Sequence, residues 1–156
     1  TTLVVRLIAE FTARGYRVSS IKHAHHAFQI DDGETDSARH RRAGSAQVAI
    51  VSAERWALVT ELFDTPEPDF ADVVAKLAPC DLVIVEGYKS AAIPKIEARR
   101  TASREKVPLS KADPYVIAVA ADHHVSDETI PVLALDDTAA IADFVAAYLK
   151  LEAKGA

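Results

Sequence analysis

The chain has a single cysteine, Cys80, and only five glycines and seven prolines in 156 residues. One thiol excludes an intramolecular disulfide and a cysteine-based zinc site, and its place before an apolar run suits a buried structural thiol. So little glycine and proline excludes a collagen-like or low-complexity chain. No apolar run approaches the ~20 residues of a spanning helix, and no signal-peptide pattern opens the sequence. A cytoplasmic location with no membrane partner is expected. Positive charge is not in excess either: 18 Lys and Arg stand against 23 Asp and Glu, a net charge of −5. A general nucleic-acid binder needs a basic surface, so nucleic acid is not the expected partner.

What is present is an ordinary globular composition, 49% apolar and 26% charged. The length suits one domain over residues 1–156. Apolar residues at helical spacing from Leu3 to Phe11, with Gly15 as a stop, predict an opening helix. A strand is expected over 16–21. A short helix over 36–42 should be capped by Asp36 or Ser37 and closed by Gly44. Two strands over 47–52 and 56–62 read as a hairpin, followed by a helix over 69–77. The continuous apolar run from Asp81 to Val85 has the mark of a strand buried on both faces of a parallel sheet. Further strands are expected over 94–98, 115–120 and 132–135, then a closing helix over 136–149 capped by Asp136 or Asp137. This alternation predicts a three-layer α/β fold, mostly parallel, with an antiparallel edge hairpin. Residues 99–114 are the longest irregular stretch.

Chemistry-bearing residues crowd into two short segments, Ile21-Lys22-His23-Ala24-His25-His26 and Asp36-Ser37-Ala38-Arg39-His40-Arg41-Arg42-Ala43-Gly44. Four of the six histidines lie there. A strand ending in titratable groups is what an open α/β sheet offers a ligand at its carboxyl edge. Thr1-Thr2-Leu3, entering a helix, resembles the tail of a phosphate-binding loop G-x-x-x-x-G-K-T-T; a simple helix cap is the alternative.

Together the ordered pieces resemble the MobB family, nucleotide-binding adaptors of molybdopterin-guanine dinucleotide biosynthesis. The pieces are Thr1-Thr2-Leu3, the two segments above, Val85-Glu86-Gly87-Tyr88-Lys89, Pro94-Lys95-Ile96-Glu97 and Val119-Ala120-Ala121-Asp122. The resemblance implies a P-loop NTPase fold, GTP and Mg²⁺ as cofactors, weak GTPase activity at most, homodimerisation and a MobA-type molybdopterin guanylyltransferase as partner. Molybdopterin or its guanine dinucleotide is then a further ligand. The glycines and lysine of the phosphate loop and the central strand before it are not in the sequence, and are expected upstream of Thr1.

On that likeness Thr1 supplies the Mg²⁺-ligating hydroxyl and Thr2 a phosphate contact. Glu86 emerges at the end of a strand, where a carboxylate can hold Mg²⁺ through water or position the attacking water; a surface glutamate is the alternative. Gly87 permits close approach of another chain or a ligand. Lys22 and His23 leave a strand at the same edge, an ammonium and an imidazole suited to phosphate. Lys89 and Lys95 are phosphate neutralisers or solvated lysines. His25, His26 and His40 contact phosphate or pterin, bind a metal with Asp31, Asp32 or Asp36, or have no site role. Asp36, Arg39 and His40 share a helix face that suits an anion, or simply the helix dipole. Asp122 accepts two hydrogen bonds from guanine, or is a turn residue before His123 and His124, which read as solvated. The hairpin, with Trp56, Leu58 and Val59, is the expected dimer contact.

The expected function is thus a GTP-binding adaptor assisting a guanylyltransferase. The alternatives are a P-loop small-molecule kinase and a GTPase-related metal-handling protein using the histidines.

Overall fold

Leu3, Leu7 and Phe11 recur every four residues and form the buried stripe of the opening helix α1 (Thr2–Ala13) in a computed structural model that describes residues 2–24, 30, 33–102 and 107–154. Gly15 closes the helix at φ +85°. Its N–H bonds the Thr12 carbonyl and the Tyr16 N–H bonds the Phe11 carbonyl, both at 3.0 Å. This Schellman closure satisfies carbonyls that the helix end would leave open. It also turns the Tyr16 ring edge-on to Phe11, 5.7 Å between centroids.

The chain then forms β1 (Val18–Lys22), α2 (Asp36–Arg42), β2 (Gln47–Val51), β3 (Trp56–Thr60), α3 (Phe70–Ala75) and β4 (Leu82–Glu86). After these come β5 (Lys95–Arg99), a 3₁₀ turn (Leu109–Lys111), β6 (Val116–Ala121), β7 (Val132–Ala134) and α4 (Thr138–Leu149). Two compact units result, one of Thr1–His23 with Leu77–Ala156, the other of Ala24–Lys76.

In the first unit β1 and β4 pair in parallel, and β5, β6 and β7 form a second parallel sheet with β6 in the middle. Among the described residues no ladder joins the pair to the triplet. Helix α1 touches β1, β4 and α4, and α4 touches β7. Phe11, Ala120, Ile141 and Ala142 have no exposed surface and lie in one core with Leu3, Leu7, Leu82 and Leu135. Each fully buried large side chain of this kind contributes roughly 1.5–3 kcal/mol. β6 is the most buried strand, with Val116 at 5% exposed, Ala118, Val119 and Ala120 at 0%, and only Ile117 half-buried. Expectation had given that character to β4, yet only Leu82 is buried there and Val83 to Glu86 are half-buried. β4 has β1 on one side and no second partner among the described strands. Cys80 is half-buried rather than buried, because it lies ahead of β4 and not within it.

In the second unit β2 and β3 form the expected antiparallel hairpin, Gln47 opposite Thr60 and Val51 opposite Trp56. Val48 is buried on one face; Val51, Trp56 and Leu58 are exposed on the other. Helix α2 packs on β2, with Ala38 buried. Its cap is Thr35, not Asp36 or Ser37: the Thr35 hydroxyl accepts from the Ala38 N–H at 3.3 Å. At α4 the cap is Asp137, accepting from the Ala140 N–H at 2.9 Å.

Candidate functional site

Parallel pairing carries β1 and β4 to a common carboxyl end, where Lys22 lies in register with Glu86. The Lys22 ammonium is 4.0 Å from the Glu86 carboxylate, with Lys22 66% and Glu86 27% exposed. At that distance and exposure the pair adds little to stability. The lysine thus remains accessible to solvent at the strand end. The ladder continues one step, His23 N–H donating to the Glu86 carbonyl at 2.8 Å.

The chain then turns sharply. Gly87 has φ +92° and Tyr88 φ +50°. A β-carbon on Gly87 would meet the His23 β-carbon at 2.9 Å and its carbonyl oxygen at 3.0 Å. Glycine is therefore required twice, by the left-handed backbone and by the close approach. The Tyr88 ring faces the His23 ring, 4.4 Å between centroids at 32°. Tyr88, quoted only as part of a motif in the sequence, thus belongs to this cluster; a bulky residue at positive φ is the sign that marks it.

The ends of β6 and β7 make a second polar region in the same unit. Asp122, His123, His124 and Asp136 line an open cavity of about 590 Å³, with Leu133 and Leu135 on its apolar side. One Asp122 carboxylate oxygen accepts from the Thr101 N–H at 2.8 Å and the Thr101 hydroxyl at 3.0 Å. The same oxygen lies 2.9 Å from Nδ1 of His123. The His123 and Thr101 hydrogen bonds hold the Asp122 carboxyl below the usual carboxylate range, so it is anionic at neutral pH. Its side chain remains 32% exposed. His123 and His124 are exposed, as expected, and line this open cavity.

Lys95 is not the solvated lysine expected as the alternative. Its side chain is 12% exposed and its ammonium lies 2.9 Å from Asp113, over the Tyr115 ring. Its charge is matched inside the unit. Lys89 is exposed, two residues beyond Gly87. Thr2 is exposed as the first residue of α1. Thr1, His25, His26, Asp31 and Asp32 lie outside the described residues.

Asp36, Arg39 and His40 belong to the second unit, on α2. Arg39 lies 3.8 Å from Asp36 and 3.7 Å from Glu34, all of them exposed. Arg41 pairs with Glu61 at 3.2 Å, and Arg42 donates to the Gly33 carbonyl at 2.8 Å. Much of the basic cluster thus has local acceptors. Among the described residues no group of three metal-ligating side chains comes together, and no helix is long and apolar enough to cross a membrane.

Parallel strands that deliver charged side chains to their carboxyl ends place the chain in the class of α/β proteins that present a ligand site at that edge of the sheet. A crystal structure of molybdopterin-guanine biosynthesis protein B (mobB) has this fold, with TM-score 0.72 at 22% identity, over 94% of this chain and 90% of that one. Bacillus subtilis MobB has it with TM-score 0.71 at 21% identity, over 98% and 91%. Residues 1–122 match the family of Molybdopterin guanine dinucleotide synthesis protein B, MobB. The molybdopterin-guanine dinucleotide biosynthesis adapter protein of Haemophilus influenzae is 42% identical over 96% of this chain and 82% of its own length. The Escherichia coli adapter protein is 36% identical over 96% and 86%. The chain belongs to the MobB family, and through it to molybdenum cofactor biosynthesis.

Proposed function

We propose that this chain is a GTP-binding adapter that assists a MobA-type molybdopterin guanylyltransferase, works as a homodimer in the cytoplasm and hydrolyses GTP only slowly. The observation that carries the reading is the in-register pair Lys22 and Glu86 at the carboxyl ends of adjacent parallel strands, under a turn that only glycine can make. Lys22 supplies positive charge for phosphate, and the Gly87 backbone permits close approach of an anionic group.

The donor chemistry suits magnesium, which prefers hard oxygen ligands and keeps several waters. Glu86 and the Thr1 hydroxyl are the residues that would hold it, and the ion would neutralise triphosphate charge. Asp122 reads the base: an exposed anionic carboxylate can accept from N1 and the exocyclic amine of guanine, a pattern adenine lacks. Thr2, His23 and Lys89 contribute phosphate contacts. His25, Arg39 and His40 serve phosphate or pterin, with Asp36 orienting Arg39. Lys95 acts on phosphate only if its pairing with Asp113 opens.

A further strand, bearing the glycines and lysine of a phosphate loop, completes the nucleotide-binding domain in this proposal. Its support is the division of the first unit's strands into a pair and a triplet over one shared core. An intact protein whose mass equals the 16.8 kDa of these residues contradicts that strand.

The test of the nucleotide reading is calorimetric titration of GTP and ATP into the full-length protein, with and without Mg²⁺. GTP is expected to bind more tightly than ATP, and more tightly with Mg²⁺ than without. Equal affinity for both nucleotides, or none for either, overturns it.

A further inference from the structure

Outside the residues already assigned, a network of half-buried charged residues surrounds Arg99, the last residue of β5. One guanidinium nitrogen, Nη2, reaches three acceptors: Glu97 at 2.9 Å, the Ser110 hydroxyl at 2.8 Å and Glu128 at 2.5 Å. The Glu128 side chain is 3% exposed, Glu97 12% and Arg99 14%. Glu97 also accepts from the backbone N–H groups of Leu109 and Ser110, at 2.8 and 3.0 Å. Ser110 donates to Glu128 at 2.7 Å, and Lys111 lies 3.5 Å from it. A buried carboxylate is costly unless it is paired and hydrogen-bonded. Glu128 has two hydrogen-bond donors, Arg99 and Ser110, and a third positive neighbour in Lys111.

The cluster touches neither Lys22 nor Glu86 in any of these contacts. Its connection runs to Asp122. The Arg99 carbonyl accepts from the Asp122 N–H at 3.2 Å. Two residues on, the Thr101 N–H and hydroxyl hold the Asp122 carboxylate. Six residues beyond Asp122 in the sequence, Glu128 returns to the Arg99 side chain. Segment 99–101 is thus fastened to the segment after β6 at Asp122, by the Arg99 carbonyl and Thr101, and at Glu128, by the Arg99 side chain. Between those points lie His123, His124 and Val125, which line the cavity.

We infer that Arg99 and Glu128 are positioning residues for Asp122, holding the loop after β6 so that its carboxylate is presented to the ligand base. The inference rests on the reading of Asp122 as the base-recognising group. Neither Arg99 nor Glu128 touches the ligand in this account. Their effect is on the orientation of a carboxylate, and so on discrimination between bases more than on overall affinity.

The experiment measures the ratio of GTP to ATP affinity on full-length protein, at a temperature well below melting, for wild type, Asp122→Asn, Glu128→Gln and Ser110→Ala. Ser110→Ala removes one neutral hydroxyl and serves if Glu128→Gln does not fold. Asp122→Asn is expected to lower the ratio tenfold or more, and Glu128→Gln or Ser110→Ala to lower it at least threefold with Asp122 intact. A merely structural role would weaken both nucleotides alike and leave the ratio alone. If Asp122→Asn lowers the ratio and the other two leave it unchanged, the positioning role is overturned and the base assignment stands. If Asp122→Asn itself has no effect on the ratio, the base assignment fails and takes this inference with it.

Discussion

The backbone of Gly87 packs so closely on His23 that an added methyl group would sit 2.9 Å from the histidine β-carbon. His23 is itself tied to the strand end by its bond to the Glu86 carbonyl. The contact therefore locks the exits of β1 and β4 together. Gly87→Ala must accept a left-handed backbone, which costs roughly 1–3 kcal/mol for a non-glycine residue, and displace the His23 loop as well. A fall in melting temperature of about 4–10 °C is expected for a chain of this size, with weaker nucleotide binding. Scanning calorimetry with a parallel GTP titration checks it; an unchanged melt shows that the turn relaxes without cost.

Glu86 is half-buried beside an exposed lysine, so its charge can be removed without opening the core. Glu86→Gln is expected to melt within about 2 °C of wild type, since exposed ion pairs contribute only ~0–1 kcal/mol. The Mg²⁺-dependent gain in GTP affinity should fall about tenfold, while binding in EDTA stays the same. Titrations with and without the metal separate the two. Equal Mg²⁺ dependence in variant and wild type removes Glu86 from the metal site.

Hydrogen bonds to a charged carboxylate are worth roughly 1.5–3 kcal/mol, which converts to a tenfold to hundredfold effect. Asp122→Asn replaces one acceptor oxygen by a donor, so GTP should lose that much affinity and ATP far less. Competition of the two nucleotides for the protein reads the change directly. A retained preference for GTP excludes Asp122 as the base reader.

Ser110 and Arg99 hydrogen bonds hold the Glu128 carboxyl below its ordinary value of 4.5. In Glu97 burial acts the other way, but hydrogen bonds from Arg99, Leu109 and Ser110 outweigh it and the carboxyl is again lowered. A lowered folded value means the unfolded chain binds protons first as pH falls. Stability from these groups is complete above about pH 5 and is lost as pH falls through the lowered folded values. Glu128→Gln should therefore lie below wild type in melting temperature at pH 7. The gap should close as pH drops from about 5 to 3. Melts across that range test it, and a gap that stays constant with pH contradicts the account.

Val51 and Trp56 face each other across the hairpin and are 75% and 70% exposed, next to Leu58 on the same face. An exposed apolar ribbon suits association with a second copy. Trp56→Glu is expected to shift sedimentation toward the monomer while leaving the melt of the dilute protein within a few degrees. A variant that sediments as wild type does places the dimer contact elsewhere.

Local pattern carried a great deal. Helix α2 runs over the expected residues 36–42, and the hairpin and an apolar strand within a residue of 116–121 follow from turn signals and apolar content. These features depend on neighbours within a turn or a strand, so the sequence states them directly. The capping residue differed where local signals competed, though the helix bounds did not: Thr35 took the cap because its hydroxyl reaches the Ala38 N–H, although Asp36 and Ser37 are equally good capping types. Lys95 looked solvated because its partner is remote in sequence: the ammonium pairs with Asp113, eighteen residues on, and not with the nearby Glu97, which pairs with Arg99.

By itself the amino-acid order determined the alternating α/β plan, the family and the strand ends at which charged residues appear. Only the folded chain decided that Lys22 stands level with Glu86, that Thr101 and His123 grip Asp122, and that Arg99 meets Glu128 across 29 residues. Secondary structure answers to spacings of two to four residues. Contacts between distant segments depend on strand register and loop path, which no short-range periodicity encodes.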